Sequence, residues 1–224
     1  MKFRIVRSSF FKSLSHLHGI VDKKNTLPIL SNVLIQAKGN ALTLSSTDMD
    51  ISIIEKIDCN VLEDGATTIN SQILYDIVRK IDDNSEIEII SNDGKLLTLR
   101  ADGSRFSLAC LPEEDFPIID QDNSGINIKI NSKVIFKLID KTKFAISNEE
   151  TRYFLNGLYF NITKEQNKSI VTLVGTDGHR LAKFSHNIDE DIDQVSGVII
   201  PKKTVYELSK LFAEIDQNVL ISIS

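Results

Sequence analysis

The chain has 224 residues, of which 42% are hydrophobic and 25% charged; this is ordinary globular composition and enough for one large or two modest domains. It has no apolar run near the roughly 20 residues of a bilayer span, no signal peptide, and too few cysteines for a disulfide framework. These features predict a cytoplasmic protein without a membrane partner, and the net charge of −5 argues at first against a nucleic-acid partner.

The predicted elements repeat one order along the chain: a strand, a helix and then three strands. A strand is predicted over residues 2–6 and a helix over 8–18, where apolar residues have helical spacing. The same pattern of a strand followed by a helix occurs three more times. The predicted strands are 67–69, 126–130 and 198–200, and the helices that follow them are 71–81, 132–143 and 202–212. Capping oxygens are offered by Ser8-Ser9, Asn70-Ser71 and Asn131-Ser132, and Pro201 suits a first helical turn.

The strands after the helices contain related sequences. Residues 42–44 (LTL) follow a turn at Gly39-Asn40 and run into residues 46–48 (STD). Residues 97–99 (LTL), 55 positions later, follow a turn at Asp93-Gly94, and residues 171–173 (VTL), 129 after the first copy, run into residues 175–177 (GTD). Alternating apolar residues around a glycine-containing turn indicate β-hairpins.

Two such modules make a domain, and the domain itself repeats. Residues 26–32 (TLPILSN) are echoed 125 positions later by residues 151–157 (TRYFLNG). We therefore predict an α+β protein with domains over 1–122 and 123–224, two modules per domain, and helices on one side of antiparallel sheets. The offset of 55 would start a fourth hairpin near residue 226, so we expect the second domain to be truncated before its last hairpin.

Positive charge is concentrated on the predicted helices. The four stretches contain ten lysines and arginines and three acids, a net charge of +7, so the rest of the chain carries −12. One amphipathic helix with a charged outer face needs no functional explanation, but four with the same bias in an acidic chain favour a basic surface. Such a surface attracts phosphates without reading bases.

The stretch GTDGHRL at residues 175–181 combines an acid, an imidazole and a guanidinium. A catalytic interpretation finds no nucleophile motif and no metal-ligand spacing. In a purely structural interpretation, Asp177 and Arg180 hold a turn. The first copy of the turn, residues 46–51 (STDMDI), lacks the Gly-His-Arg, which favours a third interpretation: a scaffold turn to which a binding groove for an anchor side chain was added.

Several motifs together resemble the bacterial DNA polymerase III β subunit family, the replication sliding clamps. They occur in family order over nearly the whole chain: residues 1–3 (MKF), 26–30 (TLPIL) with Asn32, 65–68 (GATT), 104–108 (SRFSL), 114–117 (EDFP), 152–157 (RYFLNG) and 176–181 (TDGHRL). The family's chain carries three such domains, and the resemblance covers the first and most of the second, so a third clamp domain is absent here.

The resemblance implies the DNA clamp fold and a function. Two chains form a head-to-tail homodimeric ring, and the helices line its central hole. The ring encloses double-stranded DNA and binds it without sequence preference. The ring has no catalysis and needs no cofactor. It tethers the replicative polymerase α subunit, and it also binds the clamp loader, other polymerases and repair proteins. A fragment without the third domain is expected to be monomeric.

The resemblance also implies site residues. DNA contacts are expected from Lys12, Lys24, Arg79, Lys137, Arg152, Tyr153, Lys202 and Lys203. Half of the partner-peptide pocket is expected from Leu155, Thr176, Gly178, His179, Arg180 and Leu181. The domain-one side of the ring interface is expected from Ile77, Phe106 and Leu108. Glu149 departs from the family, where this loop often carries an uncharged polar residue, and a carboxylate there would repel phosphate.

Two alternatives from other classes remain at this point. The first is a nucleotidyl- or glycosyl-transferase that binds a metal through Asp48 and Asp50, although no glycine-rich phosphate loop accompanies them. The second is a scaffold that binds only proteins, which leaves the basic helices unexplained.

Overall fold

The computed structural model divides the chain into two compact units, Met1–Asp120 (unit 1) and Gln121–Ser224 (unit 2). The structure describes residues 1–21, 27–92, 94–118, 125–149, 151–165, 168–188, 192 and 195–223. The predicted domain boundary between residues 122 and 123 lies outside the described residues. So do Lys24 and Asp93.

The described residues of unit 1 form one antiparallel sheet of nine strands and two α-helices. Its elements are β1 (Lys2–Val6), α1 (Arg7–His18), β2 (Asn32–Lys38), β3 (Ala41–Thr47), β4 (Ser52–Asp58), β5 (Asn60–Glu63), β6 (Gly65–Asn70), α2 (Ser71–Arg79), β7 (Glu86–Ser91), β8 (Leu96–Ala101) and β9 (Ser104–Leu111). Short 3-10 turns occupy Pro28–Ser31 and Glu113–Asp115. The strand order in the sheet is β4-β3-β2-β6-β9-β8-β7-β1-β5.

Unit 2 repeats much of this arrangement. Its elements are β10 (Ile126–Asn131), α3 (Ser132–Asp140), β11 (Gly157–Glu165), β12 (Lys168–Thr176), β13 (Leu181–Ile188), β14 (Val195–Pro201), α4 (Lys202–Ala213) and β15 (Asn218–Ile223), with 3-10 turns at Lys143–Ala145 and Tyr153–Leu155. Four strands form a sheet in the order β13-β12-β11-β14, and β10 pairs with β15. These orders match β4-β3-β2-β6 and β1-β7 of unit 1.

In each unit the helices pack against each other and against one face of the sheet. The core of unit 1 joins Phe10 and Leu14 of α1, Leu74 of α2 and alternate strand residues such as Val33 and Ile35, all at most 1% exposed. In unit 2, Leu138 of α3 and Val205 of α4 are fully buried in the corresponding core. The predicted fold class, with tandem modules and helices on one side of antiparallel sheets, is therefore confirmed.

Local predictions were right at some helix starts and wrong at others. The Asn70 side chain accepts a hydrogen bond from the Ile73 N–H, and the Asn131 side chain accepts one from the Lys133 N–H, as capping residues should. The predicted cap at Ser8-Ser9 is wrong, because α1 begins at Arg7 directly after β1 and has no side-chain cap. Pro201 precedes α4 rather than lying in its first turn.

Two helices end earlier than their apolar patterns indicate. Helix α2 ends at Arg79 instead of residue 81, and α3 ends at Asp140 instead of residue 143. After α3 the Thr142 hydroxyl donates to the Leu138 carbonyl at 2.7 Å, and the 3-10 turn Lys143–Ala145 follows. The short strand β5 was not predicted; it pairs with β1 at the edge of the sheet.

Candidate functional site

The GTDGHRL stretch forms a tight turn between β12 and β13 that is held by its own side chains. The Asp177 Oδ1 atom accepts hydrogen bonds from the His179 and Arg180 backbone N–H groups, each at 3.0 Å. The Thr176 hydroxyl donates to the Arg180 carbonyl at 2.7 Å and accepts from the Gly178 N–H at 3.2 Å. Threonine and aspartate are thus used here as local backbone partners, which is a common role for both in turns.

The same turn occurs between β3 and β4 in unit 1. The Asp48 Oδ1 atom accepts from the Asp50 and Ile51 N–H groups at 3.0 and 2.8 Å. The Thr47 hydroxyl donates to the Ile51 carbonyl at 2.9 Å and accepts from the Met49 N–H at 3.1 Å. Met49 has a φ of 80°, and Gly178 at the equivalent position has a φ of 89°. The hydrogen bonds of the turn are therefore a shared structural feature of both units. The three residues at positions 49–51 and 178–180 differ between them.

The electrostatics of Asp177 follow from this bonding. Hydrogen bonds from the His179 and Arg180 N–H groups hold the pKa of the Asp177 carboxyl below its ordinary value, and the Arg180 guanidinium, whose Nε lies 3.0 Å from Asp177 Oδ2, adds to the effect. Asp177 is therefore ionised at neutral pH. It serves as an acceptor in the turn, and this role suits neither a general acid nor a metal ligand.

Arg180 connects the turn to the segment after α3. Its Nη2 atom donates to the Phe144 carbonyl at 2.8 Å, and its guanidinium carbon lies 5.7 Å from the centre of the Phe144 ring. Beneath this contact, a Cβ on Gly175 would lie 2.6 Å from the Thr142 carbonyl oxygen, so glycine allows the close approach of the two segments. Sequence analysis missed Phe144, which follows the predicted helical stretch 132–143 and belongs to none of the recognised motifs.

Arg152 reaches the turn from the other side. Its Nε lies 3.1 Å from Glu149 Oε2, and its Nη1 lies 3.9 Å from the position of a Cβ on Gly178. The Leu155 N–H donates to the Arg152 carbonyl at 2.8 Å, and the Ser147 N–H donates to the Leu155 carbonyl at 3.1 Å. The structure thus links the loop that contains Leu155 to Gly178 through Arg152, a residue predicted to contact DNA.

The turn and the segments near it expose several large apolar side chains. Leu181 is 66% exposed, Phe144 57% and Phe154 55%, while Leu155 is half-buried. His179 and Arg180 are exposed beside them. Apolar side chains with a cationic rim suit an apolar peptide anchor with polar or acidic neighbours.

The predicted DNA contacts on the helices lie at the surface. Lys12 of α1, Arg79 of α2 and Lys137 of α3 are exposed, and Lys203 of α4 is half-buried. The Lys137 ammonium also lies 5.6 Å from the centre of the Phe184 ring. Each acid of the four predicted helical stretches forms an ion pair with a base three residues away: Asp76 with Arg79, Asp140 with Lys143, and Glu207 with Lys210.

Three other predicted DNA contacts converge at the start of α4. The Lys202 ammonium donates to Asn148 Oδ1 at 2.6 Å, and the Lys202 N–H donates to the Asn156 carbonyl at 3.0 Å. The loop thus fixed contains Arg152 and Tyr153, and Tyr153 is 78% exposed. Lys202, Arg152 and Tyr153 therefore belong to one local surface.

The predicted interface residues of unit 1 also come together. Ile77 of α2 and Phe106 of β9 line one cleft of about 330 Å³, together with Ile81 and Ala101. Leu108 lies two residues further along β9, on the same side of the strand, and is half-buried like the other two. A partly apolar cleft of this kind is a suitable surface for protein association.

The alternative of a metal-binding pair at Asp48 and Asp50 gains no support, because the Asp48 carboxylate already serves two backbone N–H groups of its turn. Within the described residues, no three histidine, cysteine or acidic side chains are grouped as metal ligands. None of the helices in the described part of the chain is long and apolar enough to span a membrane.

One apolar cavity of unit 2 was not foreseen. It has a volume of about 580 Å³ and lies among α3, α4, the inner face of the sheet and β15. In unit 1 the strands equivalent to β14 and β15 are β6 and β7, and β9 and β8 lie between them in the sheet. In unit 2 the corresponding position contains this cavity, and the repeat offset of 55 residues places the matching hairpin near residue 226, after the last residue of this sequence.

Two family models match consecutive parts of the chain. The N-terminal domain of the DNA polymerase III beta subunit matches residues 1–120, and its central domain matches residues 129–224. The chain is 39% identical to the beta sliding clamp of Caulobacter vibrioides (strain NA1000 / CB15N), in a match that covers 100% of this chain and 60% of that protein. It is 34% identical to the beta sliding clamp of Escherichia coli (strain K12) over 94% of this chain and 56% of that one.

Solved structures agree with these matches. The DnaN sliding clamp of Bartonella birtlesii, determined with griselimycin bound, superposes with a TM-score of 0.95 at 42% identity and covers 100% of this chain and 60% of that one. A beta sliding clamp from C. crescentus gives a TM-score of 0.94 at 39% identity with the same coverage. The chain spans about 60% of the length of these relatives. On these matches, the chain belongs to the DNA polymerase III beta subunit family.

Proposed function

We propose that the complete protein is a DNA sliding clamp, the processivity factor of a bacterial replicative DNA polymerase. Two copies form a head-to-tail ring around double-stranded DNA without sequence preference. The ring is a cytoplasmic, non-catalytic component that retains a polymerase by tethering it, which turns repeated rebinding into an intramolecular step. Its partners are the replicative polymerase α subunit, the clamp loader, other polymerases and repair proteins.

The proposal that the protein binds DNA is supported mainly by the positive charge on the helices. The three acids of the helical stretches are each paired within their own stretch, so the net charge of +7 comes from the remaining bases. Lysine predominates over arginine there, which suits loose phosphate contact better than bidentate recognition of bases. Lys12, Lys24, Arg79, Lys137, Lys202 and Lys203, together with Arg152 and Tyr153, are the proposed DNA-facing residues.

The peptide-binding part rests on the contrast between two turns with the same hydrogen bonds. Unit 1 displays Met49, Asp50 and Ile51, whereas unit 2 displays Gly178, His179 and Arg180. Together with Leu155, Thr176 and Leu181, the unit 2 residues form an apolar surface with a cationic rim. We assign to it half of a pocket for short hydrophobic motifs of partner proteins, and the rest of the pocket to parts of the complete protein beyond this chain.

The cleft of Ile77 and Phe106, with Leu108, is proposed as one side of the ring interface. Its partner surface would come from a domain that this chain does not include. A 224-residue chain should accordingly be monomeric in solution. A tight dimer of this chain in analytical ultracentrifugation would argue against that assignment.

The proposal is tested with the complete protein loaded onto nicked circular duplex DNA by its cognate loader and ATP. The circle is then cut once, and the protein that stays on the DNA is measured. If the protein encircles DNA, it should leave the linearised DNA at a salt concentration at which it stays bound to the circle. Equal retention on circular and linear DNA would mean direct duplex binding and would overturn the ring.

A further inference from the structure

Arg7, the first residue of α1, is buried although it carries a positive charge, and only 8% of it is exposed. Its Nε atom donates to the Val78 carbonyl at 2.9 Å, and its Nη2 atom donates to the Arg79 carbonyl at 2.8 Å. Both carbonyls lie in the last turn of α2, where an α-helix leaves its carbonyls without partners. Asp83 forms an ion pair with the same guanidinium group. The buried charge is therefore both hydrogen-bonded and paired, as a stable buried charge must be.

The junction between strand and helix does not itself need an arginine. The equivalent residue of unit 2 is Ser132, the first residue of α3. The Arg7 N–H donates to the Ser85 carbonyl at 2.9 Å, and the Ser132 N–H makes the same bond with the Gln217 carbonyl, also at 2.9 Å. The Ser132 hydroxyl donates only to the nearby Ile215 carbonyl, at 3.0 Å. The arginine thus adds contacts with the end of α2 that the junction does not require.

These added contacts fix one wall of the cleft that we propose as a ring interface. The Val78 carbonyl, which accepts from the Arg7 guanidinium, also accepts from the Ile81 N–H at 3.3 Å. Ile77 precedes Val78 in the same turn of α2, and both Ile77 and Ile81 line the cleft. The atom that Arg7 holds therefore belongs to the turn that sets the orientation of both isoleucines.

A hydrogen bond connects this wall to the opposite wall of the cleft. The opposite wall includes Asp102 and Ser104, at the turn between β8 and β9. The Ser85 hydroxyl donates to Asp102 Oδ2 at 2.5 Å. Because the Ser85 carbonyl also accepts from the Arg7 N–H, the backbone and the side chain of Arg7 together connect both walls to the start of α1.

We propose that Arg7 is a positioning residue for the ring interface: it holds Ile77 and Ile81 in a fixed orientation before two chains associate. The inference rests on the proposed ring interface. Side chains that are already ordered lose less conformational entropy on association, so their order increases the affinity. Lysine cannot take this role, because an ammonium group on a flexible stem lacks the planar donor arrangement that reaches two carbonyls and an acid at once.

The test follows subunit exchange between donor-labelled and acceptor-labelled copies of the complete protein, which measures how fast the dimer dissociates. Arg7→Lys keeps the net charge and should speed dissociation about tenfold. The matched control is Asn70→Ala, which removes the cap at the other end of α2 and should leave the rate unchanged. An unchanged rate in Arg7→Lys would overturn the proposal. Equal acceleration by both variants would also overturn it, since the effect would then be one of helix stability.

Hydrogen exchange of the Ile81 amide in the complete protein tests the physical basis of this effect. The Ile81 N–H should exchange about tenfold faster in Arg7→Lys, because its acceptor, the Val78 carbonyl, is no longer held by the guanidinium. It should exchange at the unchanged rate in Asn70→Ala. Unchanged exchange in Arg7→Lys would mean that Arg7 does not hold this turn, and the proposal would be wrong.

A milder variant covers the case in which Arg7→Lys does not give folded protein. Ser85→Ala leaves the guanidinium contacts in place and removes only the hydrogen bond to Asp102. It should speed dissociation of the dimer about threefold, the effect of losing one ordinary hydrogen bond. In that case Ser85→Ala alone decides, and an unchanged rate would overturn the proposal.

Ile77→Glu separates this inference from the interface on which it rests. A carboxylate in the cleft should abolish the dimer of the complete protein, since it would be buried without a partner. An unchanged dimer in Ile77→Glu would overturn the ring interface and this inference with it. Loss of the dimer in Ile77→Glu, together with an unchanged dissociation rate in Arg7→Lys, would overturn this inference alone.

Discussion

The guanidinium group of Arg152 lies over Gly178, with Nη1 3.9 Å from the position that a Cβ on Gly178 would occupy. A side chain at residue 178 would thus enter the space between the turn and Arg152. We expect Gly178→Met in the complete protein to reduce the affinity for a hydrophobic motif peptide by about tenfold or more. The turn itself should survive, because Met49 adopts nearly the same φ in the equivalent turn of unit 1.

The measurement is fluorescence anisotropy with a labelled motif peptide, and the matched control is Met49→Gly, which should leave peptide affinity unchanged. A methionine at positive φ costs about 1 kcal/mol relative to glycine, so the complete ring should still assemble. Loss of the dimer in Gly178→Met would show that the residue belongs to the ring interface. Unchanged affinity would show that the pocket does not include residue 178.

The stability of the turn between β12 and β13 should depend on pH through the ionisation of Asp177. Its pKa is lowered in the folded chain by the His179 and Arg180 N–H groups, so the ionised carboxylate stabilises the fold. That stabilisation is complete above the ordinary aspartate pKa, near 3.9, and is lost as the pH falls through the lower pKa of the folded state. The amide proton shifts of His179 and Arg180, followed by NMR, should titrate with a midpoint below the ordinary value. Asp177→Asn should remove this titration; a midpoint above the ordinary value would contradict the assigned hydrogen bonds.

Glu149 should weaken the contact of its loop with DNA. Its carboxylate pairs with Arg152, and both side chains are more than half exposed, so the pair itself contributes little to stability. In Glu149→Gln the Arg152 guanidinium becomes free to meet a phosphate. We expect the log–log salt dependence of binding of the complete protein to short duplex DNA to steepen by about 0.9, the value for one additional phosphate contact.

The control for this variant is Glu114→Gln, which removes an exposed acid of unit 1 and changes the net charge equally. If both variants steepen the salt dependence to the same extent, the effect is one of overall charge. An unchanged slope in Glu149→Gln would mean that Arg152 serves the peptide surface and makes no contact with phosphate.

Much of the fold could be predicted from the sequence because its signals are local. The apolar spacing of α2 and the caps Asn70 and Asn131 depend on neighbouring residues, and the repeat of Thr47-Asp48 as Thr176-Asp177 revealed the shared turn. The turn was recognisable as scaffold because two copies could be compared.

Other features depend on contacts between distant residues. Helix α1 begins at Arg7, whose Nε donates to the Val78 carbonyl and whose Nη2 donates to the Arg79 carbonyl, at 2.9 and 2.8 Å. This contact spans more than 70 residues and has no counterpart in the local pattern, which pointed to Ser8. Similarly, Arg152 matched a DNA-contact motif, and only the folding of its loop brings it over Gly178.

The difference between Asn70 and Ser8 gives a stability prediction. Asn70→Ala removes the acceptor for the Ile73 N–H at 3.0 Å and should lower the free energy of unfolding of unit 1 by about 1 kcal/mol, the usual cost of losing a helix cap. Ser8→Ala should change it by less than about 0.5 kcal/mol, because Ser8 is exposed and does not cap α1. Urea unfolding of the 224-residue chain, followed by circular dichroism, measures both. Equal destabilisation by the two variants would mean that α1 is capped by Ser8 in solution, contrary to its start at Arg7.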